Sequence, residues 1–479
     1  MQMSFRQFSR AGRPLTLAAL SLAILGSLAA PQQAHASAFQ LHEDSAAAMG
    51  RAYAGSATAG GDVSVVANNP AAMSDLKGTY FQADVTAINF GTTFSGSAHD
   101  ALGRPISGGN GGDAGTTMPV PAFFFATQLG DKWHVGAAFT VPFGFQTEYN
   151  NNWVGRYNAI KSKFQSLDGT LSVSYDVTDT FSLGVSGIAQ KTSAELTNAI
   201  NYNAVGLGLI SQGVQAGAIP PAAAPGLIQQ VGTIVPPGTD GVARIKGDDW
   251  AYGWQVGAYW KLTPNDRLAL NYRSKISHTL EGTANFTVPA NVQALLSNPT
   301  VAALLAGAGG VPFTHTDGTA PFTTPAVATA SYWHQEEKFG LGADVSWTKW
   351  DVFKNLNVYY TNPAQPTSSE AFNWKNSWYI ALGGEYYAND KLTLRAGVAI
   401  DTTPTSTAYR DPRVPDGNRQ LVSFGVGYKV SDKFVLNASY AHIFVNSARM
   451  STAGPTGDVL TGESDDYGNL LSLSAQYKF

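Results

Sequence analysis

Lys391-Leu392-Thr393-Leu394-Arg395-Ala396-Gly397-Val398-Ala399-Ile400-Asp401 is the stretch that decides the fold. Side chains two apart share one face of an extended chain. Leu392, Leu394, Ala396, Val398 and Ile400 therefore form an apolar face, and Thr393, Arg395, Gly397, Ala399 and Asp401 an opposite face that carries charge. Such a strand suits a wall between lipid and a wet interior. It follows the polar tip Asn389-Asp390-Lys391, and the same plan, a short tip and then an aromatic residue or leucine, recurs along the chain. The other tips are Gly130-Asp131-Lys132 before Trp133, Thr178-Asp179-Thr180 before Phe181, Pro264-Asn265-Asp266 before Leu268, Glu336-Glu337-Lys338 before Phe339 and Ser431-Asp432-Lys433 before Phe434. Longer stretches rich in Gly, Pro, Ala, Asn and Thr lie between them, so six short turns and seven long loops separate fourteen strands.

A second strand carries the same signature with aromatic ends: Trp250, Tyr252, Trp254, Val256, Ala258, Trp260 and Leu262 share the outward face, as an interfacial girdle requires. A soluble β-sandwich accounts for alternation but not for the turn–loop rhythm or the aromatic ends. At the C-terminus Leu471, Leu473, Ala475, Tyr477 and Phe479 alternate with Ser472, Ser474, Gln476 and Lys478. A terminal aromatic on an amphipathic strand resembles the signal read by the outer-membrane barrel-assembly machinery. The expected fold is all-β, a transmembrane antiparallel barrel over residues 77–479.

Composition agrees. Only 13% of the 479 residues are charged, while there are 50 glycines and 11% are aromatic. Arg6, Arg10 and Arg13 precede an apolar run from Leu15 to Ala30 that ends at Ala34-His35-Ala36, which reads as a signal peptide over residues 1–36 cut before Ser37. Its removal leaves 27 basic residues against 34 acidic ones, which gives no sign of a nucleic-acid partner. With no cysteine, an exported chain has no disulfide framework. No other stretch provides a long uncharged helix, so membrane residence requires a closed sheet.

Three features depart from a plain pore. Residues 37–76 lack barrel alternation, are rich in Ala and Gly, and pair the turn chemistry of Asn68-Asn69-Pro70 with apolar Val63, Val65, Val66 and Met73. They are expected to fold as a plug in the lumen. The external loops, expected at 201–247 and 288–325, contain Leu207-Gly208-Leu209-Ile210 and Ala303-Leu304-Leu305-Ala306, too apolar for solvated loops. Either they form a groove for a hydrophobic ligand at the cell surface or they cover each other. Finally, Pro142, Phe143 and Gly144 interrupt the strand from Trp133: either the wall opens there or the strand ends.

Ala38-Phe39-Gln40-Leu41, Gly50-Arg51-Ala52-Tyr53-Ala54-Gly55 and Asn69-Pro70-Ala71 resemble the opening of the FadL family of outer-membrane long-chain fatty acid and hydrocarbon transporters. Phe143-Gly144 with Thr147-Glu148-Tyr149, Tyr272-Arg273-Ser274, Leu394 to Ala399, and Val414-Pro415-Asp416 with Arg419 extend the resemblance in order along the mature chain. It implies a fourteen-stranded barrel with an N-terminal hatch that includes Phe39 and Gln40, capture of ligand in an external groove, transfer to a luminal pocket, and exit through a kink in the third strand. Fatty-acid members place basic residues near the positions of Leu196 and Glu370, neither of which neutralises a carboxylate. Arg156, Lys191 or Arg273 then serves the headgroup, or the cargo is an uncharged aromatic or aliphatic hydrocarbon. The remaining expectations are a monomer among outer-membrane lipid, without cofactor or metal. No Gly-x-Ser-x-Gly elbow or paired histidine spacing supports an outer-membrane hydrolase.

Overall fold

The computed structural model describes residues 38–58, 61–217, 219–297 and 310–479; the expected signal peptide and Leu304 and Leu305 lie outside them. Six strands come first: β1 (Thr79–His99), β2 (Thr116–Leu129), β3 (Trp133–Glu148), β4 (Lys161–Thr178), β5 (Phe181–Asn201) and β6 (Asp240–Lys261). The next four are each interrupted once: β7 (Asp266–Arg273, then Ile276–Thr287), β8 (Thr316–Thr324, then Val327–Gln335), β9 (Phe339–Thr348, then Asn355–Tyr360) and β10 (Ser368–Ala371, then Ser377–Tyr387). The ring is completed by β11 (Leu392–Asp401), β12 (Arg419–Ser431), β13 (Phe434–Val445, then Ala448–Ala453) and β14 (Val459–Lys478). These fourteen strands pair antiparallel with their neighbours, and β1 closes on β14 from Tyr80 opposite Lys478 to His99 opposite Val459. Closure leaves no sheet edge, the condition for strands in hydrocarbon.

The alternation read from the sequence is the inside–outside pattern of the wall. Trp250, Tyr252, Trp254, Trp260, Leu394, Val398, Leu471 and Leu473 are exposed on the outer face, while Ser172, Gln190, Asp344, Ser423 and Ser472 are buried inside. The expected loop limits need correcting. The strands run further than expected, β6 from Asp240 and β8 from Thr316, because the β5–β6 and β7–β8 ladders continue past the apolar band with polar residues such as Glu195, Arg244, Lys246 and Glu281 on their outward face. The third strand does not end at Pro142 either. It continues to Glu148 through a bulge, Thr140 pairing with Asp168 and Phe143 with Ser166. Pro142 is tolerated because the strand has no β2 partner there, so the ladder loses no donor.

Inside the ring lies the N-terminal segment, with two one-turn helices, α1 (Ala46–Met49) and α2 (Val65–Asn68), and a 3₁₀ turn (Pro70–Asp75). Helices this short do not persist alone. They are held by bonds around the wall: Ala46 N–H to Asp84 (2.9 Å), Gly55 N–H to Asp344 (2.8 Å), and the Ser172 hydroxyl and Gln255 amide to the carbonyls of Val66 (2.9 Å) and Ala67 (2.8 Å). Arg51 pairs with Glu385, which also takes Arg395 at 2.8 Å. Two wall glycines make room for this close approach. A Cβ on Gly257 would sit 1.9 Å from the Asn69 side-chain oxygen, and one on Gly397 2.2 Å from the Arg51 carbonyl. Gly397→Val is therefore expected to leave a barrel that still shows the heat-dependent gel shift of a folded wall while Arg51 becomes open to trypsin. Unchanged protection of Arg51 would contradict this packing.

Candidate functional site

Within the lumen, Phe39 is the centre of an aromatic cluster. Its ring lies 4.8 Å from Trp350, 4.9 Å from Phe164, 5.2 Å from Phe145 and 5.4 Å from Trp374, centroid to centroid. On one side of it is a cavity of about 820 Å³ lined chiefly by Phe164, Leu196, Ile245, Leu280, Phe322, Leu356 and Phe372. On the other is a cavity of about 1070 Å³ that reaches Met118, Pro119 and Val120 of β2 and Val141 and Gly144 of β3. Phe39, Phe145, Arg413 and Val414 line both. Pockets lined in this way, by aromatic and aliphatic side chains with a few polar groups, suit a hydrophobic small molecule.

The second cavity meets the weakest part of the wall. β2 and β3 pair only from Phe123 opposite Phe139 to Leu129 opposite Trp133. Above that the ladder between them is unmade, until Glu148 N–H reaches the Ala114 carbonyl at 2.9 Å. The freed edge of β3 is taken by the N-terminal segment. Leu41 N–H donates to the Pro142 carbonyl (2.9 Å), Gly144 N–H donates to the Phe39 carbonyl (2.9 Å), and Thr348 fixes Gln40 at 2.8 Å. Backbone groups that a regular barrel satisfies within its wall are satisfied here by residues 39–41.

Charge is concentrated where the loop between β11 and β12 meets this segment. Asp416 accepts from Ala38 N–H (3.1 Å) and from Arg419 (2.9 Å), and Arg419 also donates to the Ala38 carbonyl. Arg413, nearly buried, donates to Glu370 (3.2 Å) and to the Ser162 hydroxyl (3.3 Å). Asp411 lies 3.9 Å from the same guanidinium, but burial, reinforced by the Glu370 charge, pushes its carboxyl well above the usual range, so Glu370 is the main counterion. Burial likewise lifts Glu43, in the plug, to about 7, and lowers His42 to about 4.

The residues expected to bind ligand are not brought together. Arg156 is engaged by Asp240 (2.7 Å) and Tyr157 (3.0 Å) in the external loops. Lys191 shares the outer face of β5 with Leu183 and Val185 and pairs with Asp248 at 3.3 Å, so it faces away from the lumen, contrary to expectation. Arg273 does face inward, but it is ion-paired with buried Asp168, and it borders a further cavity of about 880 Å³ beside Pro142. Leu207, Leu209 and Ile210 lie on α3 (Tyr202–Gln215), which packs through Gly206 against Val231 of α4 (Ala224–Ile234). Ile210 is buried and Leu209 exposed, and none of the three lines either cavity. Arg413 and the Phe39 cage were missed as site residues, although Phe39 and Val414-Pro415-Asp416 carry part of the family resemblance.

Among the described residues no group of three or more His, Asp or Glu side chains is placed to hold a metal ion. The family model described as outer membrane protein transport protein (OMPP1/FadL/TodX) matches residues 27–479. The chain belongs to this family. It is similar to the long-chain fatty acid transport protein of Escherichia coli O6:H1, at 26% identity over 86% of this chain and 88% of that one. Among solved structures it is similar to a Pseudomonas aeruginosa FadL homologue, at 28% identity and a TM-score of 0.82, covering 92% of this chain and 100% of the other. The Pseudomonas putida toluene transporter TodX shares the fold, at 20% identity and a TM-score of 0.61 over 94% of this chain and 99% of its own. As a family member the chain is an outer-membrane transport protein.

Two outcomes follow for the N-terminal segment. Phe39→Ala removes a ring packed against six aromatic side chains in the lumen, is expected to cost about 3–5 kcal/mol of segment stability, and merges the two cavities; faster hydrogen exchange at residues 40–50 in the variant is the check. Glu43, raised to about 7, stabilises the closed segment while protonated, and this contribution is lost as pH rises through about 7; His42, lowered to about 4, acts in the opposite sense and is fully neutral above its ordinary value of 6.5. Exchange at these residues, corrected for its intrinsic pH dependence, should therefore accelerate from pH 6.5 to 8 in the parent and less so in Glu43→Gln. Equal slopes would remove Glu43 from the account.

Proposed function

We propose that this chain imports long-chain fatty acids across the bacterial outer membrane, with residues 38–76 as a hatch. The observation that carries the reading is the sharing of Phe39 and Arg413 by two apolar cavities, the second of which reaches the unpaired span between β2 and β3. An alkyl chain fits the aromatic cavity with its carboxylate toward Arg413. Withdrawal of Phe39–Leu41 from the edge of β3 then joins the cavities and opens a lateral way through the wall. Cargo drives that movement only by binding the withdrawn state more tightly. Similarity to a fatty acid transport protein over most of the chain supports the same cargo. The loop helices α3 and α4 are the proposed first landing surface, because Leu209 and Ile228 keep apolar area exposed there. Phe479, exposed at the end of β14, is the proposed contact for barrel assembly.

A second reading, uptake of uncharged aromatic or aliphatic hydrocarbons, is favoured by one observation: Arg413 already has a counterion in Glu370. Labelled oleate and toluene, offered side by side to cells lacking their own transporter, separate the two. Saturable oleate uptake is expected, and Arg413→Gln should weaken oleate binding about tenfold, the loss of one charge-assisted hydrogen bond. Saturable toluene uptake with no oleate uptake overturns the first reading. Deleting residues 37–76 should make the barrel leaky or abolish uptake, and an unchanged phenotype contradicts the hatch.

A further inference from the structure

The cavity beside the wall opening contains one acid the account above does not use. Asp466, on the inner face of β14 and 7% exposed, lines it, and neither of its buried carboxylate oxygens is held by a guanidinium, ammonium or backbone N–H group. The Thr92 hydroxyl, directly opposite on β1, is the side-chain donor at hand. The charged and titratable groups around Asp466 are committed elsewhere. Glu43 accepts from His42 N–H (2.8 Å), Asp416 and Arg419 hold each other and Ala38, and Arg410 donates to the Asp416 carbonyl (2.7 Å). Arg413 has Glu370 and Tyr149 donates to the Pro412 carbonyl (2.9 Å), while the neighbouring Asp465 takes the Ser447 hydroxyl at 2.6 Å.

A buried carboxylate held by a hydroxyl alone, without a cation of its own, is costly, and two carboxylates at hydrogen-bond distance do not both remain ionised. The cavity already holds Glu43, Asp416 and Asp466 against Arg413 and Arg419, so an incoming carboxylate meets an excess of acid. It reduces that excess by taking up one proton. We propose that Asp466 is a headgroup-recognition residue that shares a single proton with the carboxyl group of the cargo, holding it in this cavity as an acid–carboxylate pair.

This deepens the fatty-acid reading and rests on it. The proton comes from hydronium in the aqueous phase: one O–H bond of hydronium breaks and releases water as one carboxyl O–H bond forms, and the proton later leaves with the cargo or returns to water. A cargo headgroup neutralised here passes the apolar edge at Met118, Pro119 and Val120 without carrying a bare charge through it.

The test uses the purified full barrel in detergent, with oleate and with oleyl alcohol, whose hydroxyl donates to Asp466 without needing a proton. For the parent, oleate affinity should fall about tenfold per pH unit above the titration of the pair, the slope of one linked proton. Oleyl alcohol affinity should stay level, and Asp466→Asn should flatten the oleate profile. Carbon-13 NMR of carboxyl-labelled oleate bound to the parent should show the headgroup titrating above its ordinary range, a readout that needs no variant. Oleate slopes that coincide in parent and variant, an equal loss of oleate binding at every pH, or a bound carboxyl titrating at its ordinary value overturns the shared proton and leaves fatty-acid transport standing. If the parent binds oleyl alcohol but not oleate, both proposals fall.

Discussion

A strand in hydrocarbon has no water to receive its amides and carbonyls, and this chain meets that constraint around its ring by pairing each strand with the next. The constraint is relaxed on the upper span between β2 and β3, where a bulge at Val141-Pro142 turns β3 away from its neighbour and Phe39–Leu41 lie against the freed edge. The position of the N-terminal segment and the meeting of the cavities at Phe39, beside the gap between β2 and β3, go with that local exchange of partners. The wall is thus completed at this one stretch by residues from outside the strand order rather than by the neighbouring strand.

The segment that supplies those bonds is held by buried apolar side chains and by polar contacts together. Ala52 and Tyr53 both adopt positive φ, at 52° and 61°, a backbone arrangement that costs energy for residues with a Cβ. It persists because the turn places Arg51 against Glu385 and lets the Tyr379 hydroxyl donate to the Ala52 carbonyl at 3.0 Å. Buried ion pairs of this kind contribute modestly to stability while intact, yet losing one partner leaves a buried charge uncompensated. Polar contacts thus fix the orientation of a segment whose apolar side chains, Met49, Val66 and Met73 among them, are buried against the wall.

The wall was legible because its period is local. Leu392 to Ile400 and Leu471 to Phe479 show their outer face at every second position, and each tight turn announces itself within three residues. The same parity places Lys191 on the outside, since it stands an even number of residues after Leu183 in a strand without a bulge; weighing its charge alone obscured this. The site was less legible because its contacts are remote in the chain. Arg413 meets residues 43 and 251 positions away, and Ala38 is held by an acid 378 positions away, so neither spacing nor periodicity brings them together. Pro142 was visible as a disturbance, but whether it stopped the strand or bent it depended on the missing β2 partner.

Phe39 belongs to two compartments at once. A molecule that displaces the ring from one side changes the free energy of the other side, and linkage requires the same effect in the reverse direction. On the proposed route, loading and discharge are then not separate adjustments. A substitution that tightens the first compartment by improving its fit to the ring would also raise the work of emptying it, so that affinity and throughput would trade against each other through one side chain.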